Sequence, residues 1–252
     1  MSGLTWVAWR QQRWLVLAAL ATVGGFVLAA GLEHLHFWFP GASLSRTLAA
    51  FLPAALGVFW GAPLLARQLE SGSAELAWTQ TVPRLRWLAA ALAVVLVATV
   101  GVALAVLAIL PTALGSRFSL VFTYDVQSAG AVGYALFAVA LGVFVGAVLG
   151  RVELAMGVTL VVYAVVRDFV GTAVQHYLPL HRIVIPRADE EQLESHAIIR
   201  ELDYRRQDVL VVYHPAGQLA KLQWLELGLY AGLAAVLLAG TFLVIARRGA
   251  RT

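Results

Sequence analysis

Residues 87–110, WLAAALAVVLVATVGVALAVLAIL, decide the fold of this chain, because they form 24 consecutive residues without a charged side chain. A hydrocarbon core about 30 Å thick is crossed by roughly 20 apolar residues in a helix. Five more stretches have comparable length and apolar character, at residues 14–32, 48–66, 129–149, 152–174 and 224–246. The sequence therefore predicts an all-α membrane protein, with one transmembrane domain over residues 1–252 and six spanning helices.

The composition of the chain supports the same class. Of its 252 residues, 61% are hydrophobic and 13% are charged, and the mean hydropathy is +0.81. Soluble domains carry roughly 25% charged residues, and a soluble fold of this length has too little interior for so much apolar surface. The chain has no cysteine, which excludes disulfides, thiol nucleophiles and thiolate metal sites.

Basic residues flank the apolar stretches, and this pattern indicates membrane topology rather than nucleic-acid binding. Arginines precede the first span and follow the sixth, and they also lie in the loops between spans two and three and between spans four and five. The short loops on the opposite side hold only Arg46 and Arg117. The arginines of the first group are Arg10, Arg13, Arg67, Arg84, Arg86, Arg151, Arg247, Arg248 and Arg251. Arginine-rich short loops stay in the cytoplasm, so we expect both termini there and residues 175–223 outside.

Residues 175–223 are long enough to form a small external cap. Acidic residues 189–191 followed by basic residues at 200, 205 and 206 predict a helix between them, since this charge order suits the helix dipole. The flanking runs 182–185 and 209–213 are β-like and are bounded by Pro186 and Pro215. The alternative is an irregular loop.

The stretch 67–87, RQLESGSAELAWTQTVPRLRW, is too long to be only a turn between spans two and three. Ser71, Gly72 and Ser73 end one helical piece and can cap the next, which Pro83 stops. This predicts a short helix on the cytoplasmic side that can dock a partner. The alternative is a plain interfacial helix. At the N-terminus, residues 4–14, LTWVAWRQQRW, predict a helix at the membrane surface or an aromatic flank of span one.

Arg167 and Asp168 interrupt span five, where ionised groups are costly unless they are paired or hydrated. They can line a substrate path, or pair with each other or with Glu226 near the outer start of span six. Adjacent helical residues point about 100° apart, so a mutual pair has poor geometry. The alternative is a short span whose charged pair extends to the interface.

Small residues mark where helices can approach closely. Gly142, Gly146 and Gly150 repeat every four residues, which favours helix packing within the chain over dimerisation. Gly57 and Gly61, together with Pro53 and Pro63, predict a bendable second span. Pro111 is predicted to end the third span.

Catalytic signatures are absent from the sequence. It contains neither GxxxxGK[ST] nor HExxH, and the trio Glu33, His34 and His36 is interpreted as solvated rather than metal-binding. We therefore expect no catalytic residue, no metal site and no bound cofactor in this chain.

The segments RQLESGS (67–73), with Leu76, and TVPRLR (81–86) resemble the first cytoplasmic loop of type-2 ATP-binding-cassette exporter permeases. That family has an acidic residue, Gly-Thr, a leucine pair and Pro-x-x-Arg; here Ser73 replaces the threonine and Trp78 the second leucine. The chain is most similar to the actinobacterial branch. The residues that carry this similarity are Trp9, Arg10, Gln11, the run LAWTQ at 76–80, Tyr213, Pro215, Ala216, Gln223 and Trp224.

The resemblance implies a six-helix permease in a bacterial plasma membrane. It implies further that the permease forms a homodimer and binds two copies of a separate ATPase, which holds ATP and Mg²⁺. By this resemblance, residues 4–13 form the connecting helix and residues 73–80 the coupling helix. The implied coupling residues are Arg67, Glu70, Gly72, Ser73, Leu76, Trp78, Thr79 and Gln80. Lipid is the other expected partner, and Arg167, Asp168 and Glu226 are the candidates for a translocation path.

Two alternatives from other classes remain open at this point. An ion-coupled secondary transporter requires ionisable residues near the bilayer midplane and often an internal repeat. Only Arg167 and Asp168 approach that description, and no repeat is evident in the sequence. An intramembrane enzyme would require a convergent set of acid, base or metal ligands, which the spans lack.

Overall fold

The computed structural model describes residues 17–32, 44–72, 84–114, 128–174, 181–186, 197–204 and 208–249. Five helices in this part of the chain are long and apolar enough to cross a membrane, and a shorter apolar helix, α1, precedes them. The helices are α1 (Leu17–Leu32), α2 (Leu44–Glu70), α3 (Arg84–Leu114), α4 (Gly130–Leu149), α5 (Val152–Val174) and α6 (Ala216–Gly249). The chain is therefore an all-α membrane protein, and each helix overlaps one of the predicted spans.

Pro111 does not end α3, contrary to the sequence-based prediction. The helix continues through it to Leu114. Proline removes one backbone hydrogen bond and crowds the carbonyl four residues earlier. This proline lies in the last turn of the helix and is exposed. The cost is therefore confined to a position where the helix is about to end.

Helix α2 contains a π-helical turn at Gly57–Gly61, between α-helical pieces Leu44–Leu56 and Ala62–Glu70. The Ala62 N–H donates to the carbonyl of Gly57, five residues earlier, instead of four. Pro63 follows directly and has no N–H of its own, which favours a local change in the hydrogen-bond register. The glycines for which span two was predicted to be bendable thus bound a turn that contains one extra residue.

Helix α4 lies at the centre of the bundle. It packs against α2, α3, α5 and α6, and 72% of its most apolar 18 residues are buried, against 22% for α5. A helix that is hydrophobic on all sides is expected in such a position. Helix α4 thus contacts all four of the other long helices.

The glycine seam, which we define as Gly57 and Gly61 of α2 with Gly142 and Gly146 of α4, brings two backbones together. A Cβ added to Gly57 would lie 2.6 Å from the Ala138 carbonyl oxygen, and one at Gly61 would lie 2.5 Å from that of Val139. A Cβ at Gly142 would overlap the Gly57 oxygen, and one at Gly146 the oxygen of Ala62. No larger residue fits these positions without displacing backbone atoms, which confirms the prediction that Gly142 and Gly146 serve packing within the chain.

Three strands lie between α5 and α6: β1 (His181–Pro186), β2 (Ala197–Tyr204) and β3 (Asp208–Pro215). They form an antiparallel sheet of order β1-β3-β2, in which β3 is the central strand and continues directly into α6. Val209 and Val211 of β3 are fully buried. Strands β1 and β3 agree with the predicted β-like runs.

The predicted helix between residues 189 and 206 is wrong over residues 197–204, which form β2. This strand pairs with β3 along its length, with an irregularity between Ile199 and Glu201. Pairing with β3, which begins only four residues after β2 ends, outweighs the charge order that suggested a helix, because isolated short helices are only marginally stable. Residues 187–196 and 205–207 lie outside the described residues.

Candidate functional site

Glu226 of α6 is a buried carboxylate inside the bundle, with 4% of its surface exposed. Its Oε2 accepts a hydrogen bond of 2.5 Å from the Tyr134 hydroxyl on α4. A Cβ at Gly130 would lie 2.9 Å from this oxygen and 3.0 Å from both the Tyr134 Oη and the Ser128 Oγ. Glycine at position 130 therefore leaves room at the start of α4 for the side-chain oxygens of Glu226, Ser128 and Tyr134.

Arg167 of α5 lies on the other side of Tyr134. Its guanidinium carbon is 3.8 Å from the centroid of the Tyr134 ring, within the range of a cation–π interaction. A Cβ at Gly171 would lie 3.7 Å from the Arg167 Nη1, so the glycine one turn further leaves space beside the guanidinium. Tyr134 thus joins α5 to α6 through one side chain. We call Tyr134, Arg167 and Glu226 the tyrosine cluster.

Aromatic neighbours fix the ring of Tyr134. Tyr230 packs edge-on against it, with ring centroids 4.8 Å apart and planes at 83°. Tyr230 also contacts Phe137 at 5.5 Å, and Phe137 contacts Tyr163 at 6.2 Å. Such edge-to-face and tilted pairs each stabilise the packing by about 0.5–1.5 kcal/mol beyond the area they bury. The hydroxyl of Tyr134 is consequently held in one place.

A cavity of about 360 Å³ opens beside the tyrosine cluster, between α2, α4 and α5. Asp168 lies on its wall and is exposed. Its backbone carbonyl accepts from the Thr172 hydroxyl at 2.9 Å. Within the described part of the chain, its carboxylate makes no hydrogen bond or ion pair. The lining residues are Ala49, Ala50, Pro53, Ala131, Tyr134, Tyr163, Arg167, Asp168, Gly171 and Thr172.

The depth of these charges follows from helix geometry. Arg167 lies 15 residues after Val152, the first residue of α5, which corresponds to about 22 Å at 1.5 Å per residue. A hydrocarbon core is about 30 Å thick. The charged wall of the cavity therefore lies in the half of α5 that leads to the sheet.

The structure separates the three predicted path residues into two roles. Arg167 and Glu226 both contact Tyr134, whereas Asp168 faces the cavity and is not paired with Arg167. Sequence reasoning missed Tyr134 and Ser128. Tyr134 carried a usable signal, because a hydroxyl in an otherwise apolar span needs a hydrogen-bond partner.

At the other end of the bundle, the turn between α4 and α5 is held from both sides. The Val152 N–H donates to the Glu70 Oε2 at 3.1 Å, so the end of α2 caps the start of α5. Arg248 of α6 donates from Nη2 to the Val148 carbonyl of α4 at 2.9 Å. We call Glu70, Val148, Val152 and Arg248 the end junction.

Gly150 makes the sharp turn within the end junction possible. Its φ is +65°, in the left-handed region that favours glycine, and its N–H donates to the Gly146 carbonyl at 3.0 Å. This glycine was predicted to belong to the packing face of α4. It instead ends that helix and starts the turn to Arg151.

Of the predicted coupling residues, three lie in the described part of the chain. Glu70 is the last residue of α2, Arg67 accepts the Ser71 N–H on its carbonyl at 3.1 Å, and Gly72 has φ +66°. These contacts agree with the prediction that the SGS sequence ends a helix. Ser73, Leu76, Trp78, Thr79 and Gln80 lie outside the described residues, as does the predicted connecting helix at 4–13.

The bundle of apolar helices, with polar clusters at two levels, defines a multi-pass membrane protein. Residues 32–175, more than half of the chain, match the ABC-2 membrane transporter related family, and the chain belongs to this family. Permeases of this kind work with an ABC ATPase. No curated protein and no solved structure shows significant similarity to the chain.

The matched region contains the glycine seam, Glu70, Tyr134 and Arg167, whereas Glu226 and the sheet lie beyond it. The family assignment therefore rests on the part of the chain that forms α2 to α5.

Proposed function

We propose that this permease is the transmembrane half of an ATP-driven exporter in a bacterial plasma membrane. Two copies of the chain pair with two copies of a separate ATPase, which binds ATP and Mg²⁺ and supplies the energy. The chain itself carries no catalytic residue and binds no cofactor. Substrate moves from the cytoplasm to the outside along a path that includes Arg167, Asp168 and Glu226.

The bond between Glu70 and Val152 is the observation that carries this proposal. Glu70 lies three residues before the proposed coupling segment 73–80. The same carboxylate holds the first turn of α5, and α5 runs without interruption from Val152 to Val174. A displacement of the coupling segment by an ATPase would therefore pull on α5 as one rigid body.

The far part of α5 carries the polar residues on which such a displacement would act. Arg167 contacts Tyr134 and Asp168 lines the cavity, about 22 Å along the helix from Val152. Moving α5 relative to α4 would change both the contact with Tyr134 and the shape of the cavity. The two polar levels are thus mechanically connected through one helix.

Charge distribution supports the proposed orientation. Arg67, Arg151, Arg247 and Arg248 gather at the end of the bundle that holds the end junction. Short arginine-rich segments remain in the cytoplasm, so this end would face the ATPase. The cavity then lies in the outer half of the membrane, where a substrate on its way out would be released.

The proposal is tested in vesicles that contain the permease together with its ATPase. We expect the two proteins to co-purify and transport to require hydrolysable ATP. Transport that runs without ATP or ATPase, on a proton gradient alone, would contradict the exporter proposal.

Glu70→Ala removes the acceptor for the Val152 N–H. Loss of a helix cap costs about 0.5–2 kcal/mol, which is too little to unfold the chain but enough to release the start of α5. We expect ATP hydrolysis to continue while transport per ATP falls at least fivefold, measured as the ratio of the two rates.

Glu153→Ala is the matched control, because Glu153 is an exposed carboxylate in the same first turn of α5. The proposal predicts a transport-to-hydrolysis ratio close to that of the unmodified chain. Equal transport-to-hydrolysis ratios for the two variants would contradict the coupling role of Glu70.

A secondary transporter is the second candidate, because buried Glu226 with its Tyr134 partner has the chemistry of a proton site. In that case a pH gradient would drive transport in vesicles without ATPase, and Glu226→Gln would abolish it. Under the exporter proposal, vesicles without ATPase show no transport on a pH gradient, whether position 226 is glutamate or glutamine.

A further inference from the structure

We propose that the cavity between α2, α4 and α5 binds the cationic head of an amphiphile, with the Asp168 carboxylate as its counter-charge. This inference rests on the proposed function, because it names the class of molecule that the exporter would carry. It concerns a binding step that can be measured without ATP.

The charges around the cavity indicate a cationic ligand. Arg167 is placed against the face of Tyr134, and Glu226 accepts the hydroxyl of the same residue. The carboxylate of Asp168 has no such partner within the described part of the chain. An ionised group inside a spanning helix is costly without a partner or water. A positively charged ligand would supply the missing counter-charge.

The remaining walls favour an organic cation over an inorganic one. Metal cations such as Ca²⁺ and Mg²⁺ require six or more oxygen ligands. This cavity instead offers the ring of Tyr163 and the small apolar side chains of Ala49, Ala50 and Pro53 beside one carboxylate. Aromatic rings attract organic ammonium groups through their faces. The volume of about 360 Å³ is in the lower range of small-molecule sites, roughly 300–1,000 Å³.

Apolar surface continues from the cavity along the outside of the bundle. Next to Asp168 on α5, Phe169 is 72% exposed and Val165 is 62% exposed; next to Ala50 on α2, Phe51 is 69% exposed. A hydrocarbon chain attached to a bound ammonium group can lie along this surface while its head remains in the cavity. The ligand is therefore an amphiphile with a positive head rather than a small soluble cation.

The test uses the purified full-length permease in lipid nanodiscs, without ATPase or ATP. Dodecyltrimethylammonium, dodecyl sulfate and dodecyl maltoside present the same chain with a positive, negative or neutral head. All are titrated below the concentrations at which they form micelles. We expect the cation to bind at least tenfold more tightly than either of the others, and tetramethylammonium, which lacks the chain, to compete poorly.

Asp168→Asn should weaken binding of dodecyltrimethylammonium about tenfold, which corresponds to about 1.4 kcal/mol, and should leave the neutral amphiphile unaffected. Asp168→Glu keeps the charge and should retain the preference for the cation. The control Glu153→Gln neutralises an exposed carboxylate at the opposite end of α5 and should change nothing.

Equal affinity for dodecyl sulfate would overturn the inference, as would an Asp168→Asn variant that elutes as folded protein and still prefers the cation. If tetramethylammonium competes at the same concentration as its dodecyl analogue, the inference that the ligand is an amphiphile would be overturned, and the ligand would be a soluble cation. Absence of cation binding combined with intact ATP-driven transport would refute this inference alone. Cation binding without any ATP-dependent transport would instead refute the proposed function.

Discussion

The glycines of α1 and those of the glycine seam have opposite surroundings. A Cβ added to Gly24, Gly25 or Gly31 of α1 would meet no atom within 4 Å. In the seam, a Cβ at Gly57 or Gly142 would collide with the backbone of the facing helix. Small residues in a spanning helix therefore permit close approach of another helix. The sequence does not tell at which of these positions another helix of the chain is in contact.

The difference has a structural basis. The seam joins the central helix α4 to the π turn of α2, where the chain supplies both surfaces. Helix α1 presents most of its large side chains to its surroundings, and Leu20 and Leu28 are each 64% exposed. We therefore expect substitutions in the seam to alter the fold and equivalent substitutions in α1 to leave it intact.

Gly142→Ala is expected to have the largest effect. Its Cβ would overlap the Gly57 oxygen and lie 2.6 Å from the Ala62 nitrogen, and both are backbone atoms that cannot rotate away. Forcing extra volume into packed interiors costs about 1–3 kcal/mol. For a chain of this size, that loss lowers the melting temperature by roughly 2–4 °C per kcal/mol, measurable by thermal unfolding in detergent. An unchanged melting temperature would show that α2 and α4 can separate at little cost.

Gly240→Ala is expected to have a smaller effect than Gly142→Ala, because its added Cβ would meet a side chain and not a backbone. Its Cβ would lie 2.9 Å from the Cε2 of Phe144, at the far end of a half-buried ring that can turn. We expect a melting temperature within a few degrees of the unmodified chain. A loss as large as that of Gly142→Ala would mean that the Phe144 ring is locked.

Gly25→Ala is expected to have the smallest effect, and the opposite sign. No atom lies within 4 Å of the new methyl group, and alanine is favoured over glycine in helices by about 0.8–1.0 kcal/mol. The melting temperature should rise slightly or stay the same. Since this propensity gain is common to all three variants, the differences among them report the contacts alone. A clear loss here would indicate that α1 packs against a further surface.

Much of the helical fold could be predicted because the apolar length of a span is a local property. Residues 152–174 were predicted without error, as were the strands at 182–185 and 209–213 within a few residues. Strand β2 was not, because it is defined by its pairing with β3 and the local charge order suggested a helix. Pro111 was given too much weight as a stop signal, since the helix continues through it for three more residues, to Leu114.

The candidate site was only partly predictable. The sequence drew attention to Arg167, Asp168 and Glu226 because charges are rare in spans. It did not show that Tyr134 lies between Arg167 and Glu226, since the three residues lie on different helices whose mutual rotation is set by packing. Similarly, Glu70 was predicted for its place in a loop pattern, and its bond to Val152 depends on where the π turn aims the end of α2.

That π turn can be understood as a single-residue insertion into an α-helix. The extra residue is absorbed within the widened turn, so removing one residue from Gly57–Gly61 would restore a continuous α-helix and leave Glu70 near Val152. An uninterrupted α-helix with all of its present residues would instead rotate Glu70 by about 100° relative to Leu44–Leu56 and point it away from Val152. The widened turn, as well as the length of α2, therefore decides which helix the end of α2 can hold.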